Sequence, residues 1–470
     1  MTRREFLAAS ALLATGFIGG CGFRRLGRSR PRNLVLIISD TLRADHLTCN
    51  GFPASITPGI DALVRRGTLF TDVMSPAPLT GAAHASIMTG AYQTVHGVVG
   101  NGGEIPARVP TLAKTLQDAG WDTAAFVSNP VLRPSQLAGI ERGFAVYDDD
   151  LPSMERNRPS PYRDARATTD SALRWLQNRT SGRLFLWAHY MEPHGPYEVP
   201  DDELLARLDE LGSVPGEPDS LKVLSGNYGR KGIPKYQVMG DERQPLSYRR
   251  RYAARVAYVD GQICRLIREL GQQGLGYDTL LVFTSDHGEL LGEHDYYFQH
   301  GITVLQPVLK VPLLLVGPGV PAGGRNATPA NLVDVMPTAL SLLDNEFDGY
   351  AEQSGGVSLQ PAMEGKTPDE GVPHYAFCQR TKESCIRLGR WKYTLRQQGK
   401  PPIGVLNDLT RDPEEKEDLS SQAPEAASDL RGRLEELMAQ APDLLSKRKK
   451  SMPAMSSEDR ERLKALGYLK

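Results

Sequence analysis

Along the chain, apolar runs of strand length alternate with stretches whose apolar residues recur at helical spacing. The runs Leu34 to Ile38, Thr123 to Val127, Leu184 to Ala188, Leu280 to Phe283 and Val311 to Val316 read as strands. Helical patterns fall at Thr57 to Arg66, Ala83 to Met88, Leu112 to Ala119, Ser171 to Leu176 and Tyr252 to Leu270. Such alternation predicts an α/β fold, a large mixed and mostly parallel sheet flanked by helices on both faces. Between Pro200 and Pro245 the pattern breaks into charged, Pro-rich and Gly-rich sequence, which marks a lid or insertion. From Val372 the rhythm changes again. Ala376 to Cys378, Cys385 to Leu388 and Trp391 to Leu395 read as short strands and Ala426 to Met438 as a helix, so a small antiparallel sheet with a covering helix is expected. The basic run Lys447 to Lys450 reads as a solvated tail.

With 470 residues, 40% of them hydrophobic and 24% charged, the chain can bury a large core. A formal net charge of -1 gives no general attraction to nucleic acid, so no nucleic-acid partner is expected. The first residues change the picture of where the protein works. Arg3-Arg4-Glu5-Phe6-Leu7 precedes the apolar stretch Ala8 to Ile18, which stops at Gly19-Gly20-Cys21. This resembles a twin-arginine export signal ending in a lipobox. The expectation is a signal at 1–21, a lipidated Cys21, a basic tether at 22–32 and an extracytoplasmic, membrane-anchored protein. The catalytic part is then placed at 33–345, a C-terminal subdomain at 346–425, and a closing helix and tail at 426–470. Four further cysteines stand at 49, 264, 378 and 385, without the spacing of a zinc site. Cys378 and Cys385 flank a polar segment and are placed either to pair across a hairpin or to stay free; Cys264 reads as a buried helix residue.

Candidate chemistry sits where strands end. Leu280 to Phe283 runs into Thr284-Ser285-Asp286-His287-Gly288-Glu289, Leu34 to Ile38 into Asp40, and Leu184 to Ala188 into His189. In an open α/β sheet ligands gather beyond the carboxyl ends of the strands, so Asp286 and His287 form half a metal site by placement. Asp40 serves either as a helix cap or as a third ligand. One imidazole among carboxylates is compatible with Mg²⁺, Mn²⁺, Ca²⁺ or Zn²⁺. Thr80 opens a helical segment ending near Thr89-Gly90. It reads either as an N-cap or as a hydroxyl beside an anion held by free backbone N–H groups.

Taken together, these pieces resemble the sulfatase branch of the alkaline-phosphatase superfamily. The matching segments are Asp40 through Asp45, Thr57-Pro58 through Leu63, Thr80 through Gly90, His96-Gly97, His189 through His194, Ser285 through Glu289, His300-Gly301 and Val311-Pro312. Trp391-Lys392-Tyr393, Asp408-Leu409, Asp412-Pro413-Glu414 and the closing Leu466-Gly467-Tyr468 resemble the family's C-terminal part. The resemblance implies an alkaline-phosphatase-like fold, one divalent metal ion held by Asp40, Asp286 and His287, and Thr80 as ligand and nucleophile. It implies that His194 and His300 hold the oxyanion or protonate the leaving group.

Departures from the family narrow the chemistry. Sulfatases carry Cys or Ser at the Thr80 position, oxidised to formylglycine, and Arg at the position of His84. Oxidised threonine would be a ketone, so no formylglycine is expected. Thr41 replaces a second Asp ligand and His300 a Lys, which favours Zn²⁺ or Mn²⁺ over Ca²⁺. The Thr-centred set is similar to the phosphoethanolamine and phosphoglycerol transferases and phosphodiesterases of the superfamily, which pass through phospho-threonine. A second metal would draw on Glu192 or His189 with His194 and His300. His84, one turn after Thr80, is expected to face the same crevice. Asn101 and His189 are expected near the oxyanion, and Arg43 to pair with an acidic neighbour. His46 and His294 read as hydrogen-bonded side chains near the cleft.

The reading is a metal-dependent hydrolase cleaving a sulfate or phosphate ester of a small molecule, glycan or lipid through Thr80. Two alternatives are a phosphoryl-group transferase or phosphodiesterase acting on envelope lipid or glycan, and an inactive anion- or glycan-binding protein.

Overall fold

The computed structural model describes residues 30–154, 161–179, 182–200, 202–224, 228–343, 347, 355–366, 371–397, 401–441 and 461. The export signal, Cys21, most of the basic tether, the Lys447 to Lys450 tail and the closing Leu466-Gly467-Tyr468 lie outside the described residues. Among the described residues no helix is long and apolar enough to cross a membrane.

The main sheet is built from β1 (Asn33–Ser39), β2 (Gly67–Met74), β3 (Asp122–Phe126), β4 (Val146–Asp148), β5 (Leu184–Tyr190), β6 (Thr279–Ser285), β7 (Lys310–Val316), β8 (Gly324–Asn326) and β9 (Ala330–Asn331). Their order is β8-β2-β7-β6-β1-β5-β3-β4, with β9 also paired to β2. Pairing is parallel from β6 through β1, β5 and β3 to β4, and only β7 runs antiparallel between β6 and β2. Every residue of β1, β5 and β6 is buried, as both-face coverage of a parallel sheet requires.

Side chains alternate between two cores. Val35 and Ile37 point to one face, against α1 (Pro58–Val64), α4 (Ala165–Asn178) and α5 (Pro245–Gln272). Leu34, Leu36 and Ile38 point to the other, against α2 (Thr80–Thr89), α3 (Leu112–Asp118) and α6 (Val335–Leu343). Truncating one such side chain to Ala removes buried area and leaves a cavity, at a cost of about 2–5 kcal/mol. The sequence pattern missed β2 and α6. In β2 the apolar residues are interrupted by Thr68, Thr71 and Asp72, because the strand lies near the sheet margin.

A second sheet comprises β10 (His374–Cys378), β11 (Glu383–Leu388), β12 (Trp391–Arg396) and β13 (Ile403–Asp408), antiparallel throughout. Helix α7 (Pro424–Ala439) covers it through Leu430 and Leu434, packed on Phe377, Ile386, Tyr393 and Leu406. Cys378 pairs in register with Glu383, and Cys385 with Ala376, so the two cysteines are not opposite one another. Both are free and buried, which corrects the hairpin disulfide as a possibility.

In the Pro200 to Pro245 stretch, a short helix (Asp202–Ala206) and a parallel pair of strands (Lys222–Leu224 with Gly232–Pro234) are present. The stretch docks on the strand Tyr297–Gln299. Tyr297 N–H reaches Gly229 O at 2.9 Å, Gln237 Nε2 donates to Phe298 O at 3.0 Å, and Tyr236 Oη to Gln299 Oε1 at 2.7 Å. It therefore covers the backbone leading directly into His300.

Candidate active site

Strand register assembles the acidic half of the site. Ser39 pairs with Ser285, so the next residues, Asp40 and Asp286, emerge side by side from neighbouring parallel strands. The chain turns sharply at this point. Thr41 has φ 62°, a left-handed backbone that costs a β-branched residue on the order of 1–3 kcal/mol. The turn is held by Tyr252 of α5, whose hydroxyl donates to Thr41 O at 2.6 Å and accepts from Arg43 N–H at 3.0 Å. In exchange, Thr41 N–H points at Asp286 Oδ1, 3.1 Å away, and the same oxygen accepts from His287 N–H at 2.8 Å.

The second carboxylate oxygen tells more. Asp286 Oδ2 is buried and has no hydrogen-bond partner among the described residues. It lies 3.5 Å from His287 Nε2 and 3.7 Å from His84 Nδ1. His287 donates its Nδ1–H to Gly288 O at 2.9 Å, so its Nε2 carries a lone pair. A carboxylate oxygen thus faces an imidazole lone pair with no proton between them, an arrangement that calls for a cation. Asp40, Asp286 and His287 each offer a ligand atom, all within 4.8 Å of one another, and among the described residues this is the group that could hold a metal ion. Asp40 Oδ2 is oriented by Asn129 Nδ2 at 2.6 Å.

Electrostatics keep these groups ready for a metal at neutral pH. Burial pushes the Asp286 carboxyl up, but His287, His84, His189 and the Thr41 N–H outweigh it and leave the group below the usual carboxylate range. Burial lowers the His287 imidazole to about 4 and also lowers His84 and His189. All three rings are therefore neutral at pH 7.

Thr80 faces this group. The N-cap of α2 is Leu79, and Thr80 is the first helical residue, so the N-cap reading is corrected. Its Oγ1 is buried and 3.4 Å from His287 Nε2. Glycine follows because there is no room for more: a Cβ on Gly81 would lie 2.6 Å from Gly100 O. Asn101 Oδ1 accepts the Gly81 N–H at 2.8 Å, so its oxygen caps the helix, while its buried Nδ2 has no partner among the described residues.

The remaining histidines fall in two groups. His194 and His300 lie together, ring centroids 5.1 Å apart, and His300 is 4.7 Å from His287. His194 Nδ1 donates to Gly195 O at 2.6 Å and His300 Nδ1 to Glu289 Oε1 at 3.0 Å, which directs both Nε2 atoms away from those anchors. Tyr197 holds the other Glu289 oxygen at 3.1 Å. His84 and His189 form the other group, 4.9 Å apart. His84 Nδ1 donates to Thr80 O at 2.8 Å; His189 Nδ1 donates to Ser128 Oγ at 2.9 Å, whose own proton goes to His189 O. His189 Nε2 sits 3.7 Å from Asp40 Oδ2, on the metal side and apart from His194 and His300.

Among the described residues Glu192 belongs to no group that could hold a metal ion. Its carboxylate meets Ala165 N–H and Arg255, between α4 and α5, and burial raises it to about 6. Arg43 pairs with Asp45 and Glu293 as expected. His46 is tied to Asp45 and His294 to Glu414 O. Sequence reasoning missed Ser128, Asn129 and the role of Glu289. The first two follow the strand-like run Thr123 to Val127, the same strand-then-polar pattern that exposed Asp40.

The Sulfatase family profile matches residues 32–345. A choline-sulfatase of Rhizobium meliloti (strain 1021) is 27% identical over 408 residues, spanning 77% of this chain and 77% of its own. A protein solved with its substrate D-glucosamine-2-N,6-O-disulfate superposes with a TM-score of 0.70 at 20% identity, covering 90% of this chain and 100% of its own. The phosphonate monoester hydrolase of Agrobacterium radiobacter superposes with a TM-score of 0.67 at 22% identity, covering 88% and 96%. Structural likeness at such identity shows the fold, whereas the family profile spans most of the sheet and every strand-end residue described above. The chain belongs to the sulfatase family of ester hydrolases.

Proposed function

We propose that this protein is a metal-dependent hydrolase that cleaves a phosphate or sulfate ester by attack of Thr80 Oγ1, with phosphoester chemistry favoured. The observation that carries the reading is the position of Thr80: a buried hydroxyl at the start of α2, 3.4 Å from His287 Nε2, the same atom that lies 3.5 Å from the partnerless Asp286 Oδ2. Threonine cannot supply the aldehyde hydrate on which formylglycine sulfatases depend, but its alcohol is a competent nucleophile toward phosphorus.

Asp40, Asp286 and His287 would hold the cation, with Thr80 beside it; two carboxylates, one imidazole and a hydroxyl suit Zn²⁺ or Mn²⁺. When bound, the ion would lower the pKa of the Thr80 hydroxyl and neutralise charge on the tetrahedral oxygens. The chain's own residues do the rest. Asn101 Nδ2, buried and without a partner among the described residues, donates to a non-bridging oxygen. A bond forms from Thr80 Oγ1 to phosphorus as the ester oxygen leaves. His300 Nε2 gives the departing alcohol its proton, held in line by Glu289 at Nδ1, and His194 lies close enough to share that task. The Thr80 proton passes to solvent, and His300 regains its own from the water that attacks next. Water then opens the phospho-threonine and restores the hydroxyl. An acceptor alcohol in place of water would make the same site a transferase.

The twin-arginine and lipobox pattern supports a site of action outside the cytoplasm on a membrane-bound tether, where phosphorylated or sulfated glycans and lipids would be its substrates. Turnover of nitrophenyl phosphate, its diester and nitrophenyl sulfate by metal-reconstituted protein tests the reading. Phosphate ester hydrolysis that disappears in Thr80→Ala is expected. Hydrolysis retained in that variant, or none of the three esters cleaved with any divalent metal, overturns it.

A further inference from the structure

His300 leads a segment that the second sheet grips from outside the catalytic core. Within six residues of His300, five contacts cross to that sheet or the loop after it. Cys378 Sγ donates to Gly301 O at 3.5 Å. Glu383 Oε2 accepts from Thr303 Oγ1 at 2.9 Å and from Val304 N–H at 3.3 Å. Lys392 Nζ donates to Val304 O and, at 2.6 Å, to Glu415 Oε1. Glu415 Oε2 then accepts Gln306 N–H at 2.6 Å.

The opposite side of the segment meets the nucleophile helix. Gly301 has φ 69°, and a Cβ there would lie 2.4 Å from Leu79 Cδ2, the side chain just before Thr80. The chain from His300 to Gln306 is therefore clamped between the entry to α2 and the C-terminal sheet. Lys392 and Glu415 are almost completely buried, with side-chain exposures of 0% and 2%. Burying such a pair carries a desolvation cost, and apolar side chains of the same size often stabilise a core as well or better. What apolar side chains could not do is hold Val304 O and Gln306 N–H at once, and so fix the path of the backbone.

We propose that Lys392 and Glu415, assisted by Glu383, are positioning residues that set His300 against Thr80. The C-terminal sheet then serves the reaction by aligning a proton donor contributed by the catalytic core. This inference rests on the reading of Thr80 as nucleophile and His300 as its partner.

The test is a double-mutant cycle on the full chain, loaded with metal, with nitrophenyl phosphate as substrate. The pair is replaced together, Lys392→Met with Glu415→Leu, so that no single charge is stranded, in both the wild-type and the His300→Ala backgrounds. The expected result in the wild-type background is a kcat lower by about 10- to 100-fold with KM within about twofold, the effect of a misplacement near 1 Å. In the His300→Ala background the same replacement is expected to cost less than about twofold, because residues acting through one group are not additive. An undiminished kcat, or an equal loss in both backgrounds, overturns the proposal. If the double replacement does not fold, Glu383→Gln carries the same test, with a loss of about threefold that vanishes when His300 is absent; a persistent loss or none overturns it. Thr80→Ala measured alongside reports separately on the nucleophile. Should that variant remain active, the reading of the site falls whatever Lys392 does.

Discussion

Asp286 at the end of β6 and Asp260 in the middle of α5 are both shut off from solvent, and they differ in what their oxygens meet. Asp260 Oδ1 accepts Ile60 N–H at 2.8 Å and Oδ2 accepts Gly59 N–H at 3.0 Å, so both oxygens are used to tie α5 to the first turn of α1. Asp286 spends one oxygen on backbone N–H groups and leaves the other facing an imidazole lone pair. Burial raises Asp260 to about 7, while Asp286 lies below its ordinary range. Burial alone therefore does not mark a functional carboxylate. The mark is a buried charge kept ionised with an acceptor as its neighbour, which a protein tolerates where a cation is to be bound.

The strongest way to break this comparison is to neutralise each aspartate. Asp286→Asn is expected to abolish metal retention and to lower kcat/KM by more than about 10³-fold, with a melting temperature no lower than that of the metal-free wild type. Metal analysis and a thermal melt decide it; full metal content in the variant would end the ligand assignment. Asp260→Asn should leave kcat within about twofold and act on stability alone.

That stability effect has a definite sign. Asp260 titrates near 7 in the folded state and in the ordinary carboxylate range when unfolded, so the native state holds the extra proton between those limits. Its contribution is fully present in acid and is lost as the pH rises through about 7. Relative to wild type, Asp260→Asn should therefore gain on the order of 3 kcal/mol between pH 5 and pH 8. A pH-independent difference would show that Asp260 is ionised throughout.

A smaller effect runs the other way at His96. This ring is buried against Ser86 Oγ and the Val98 N–H, and burial lowers it to about 3. Its unfolded form takes up a proton first as the pH falls below about 6.5, so folding loses stability in acid. From pH 7 to pH 5 the wild type should lose on the order of 2 kcal/mol more than His96→Gln, as read from denaturant melts. Equal losses would mean that the ring is protonated in the fold.

How far the site could be read in advance follows from which distances the sequence encodes. Asp40, Asp286 and His287 were legible because an apolar run ending in a polar cluster implies a strand carboxyl end, and parallel strands in register bring such ends together. Thr80 was legible as a helix opening, but only the fold shows that it is the first helical residue and not the cap. His189 reads from the sequence as a substrate contact or a second-metal ligand, and only the fold shows that its Nε2 lies 3.7 Å from Asp40 Oδ2. Glu192 looked like a ligand by its neighbours in sequence, yet its side chain turns into the α4–α5 contact to meet Arg255. Asn129 needed the strand order, since β3 reaches Asp40 only across β5. The clamp on His300 was beyond reach for the same reason: Lys392 and Val304 are 88 residues apart and meet where the second sheet packs on the loop after His300.

The central claim is that Thr80 becomes covalently loaded during turnover. Rapid quench of the metal-loaded enzyme with a phosphate ester, followed by peptide mass spectrometry, tests it most directly. One phosphoryl group on Thr80, formed before steady state, is expected. Active enzyme that never carries the group on Thr80, or carries it on another residue, would contradict the account.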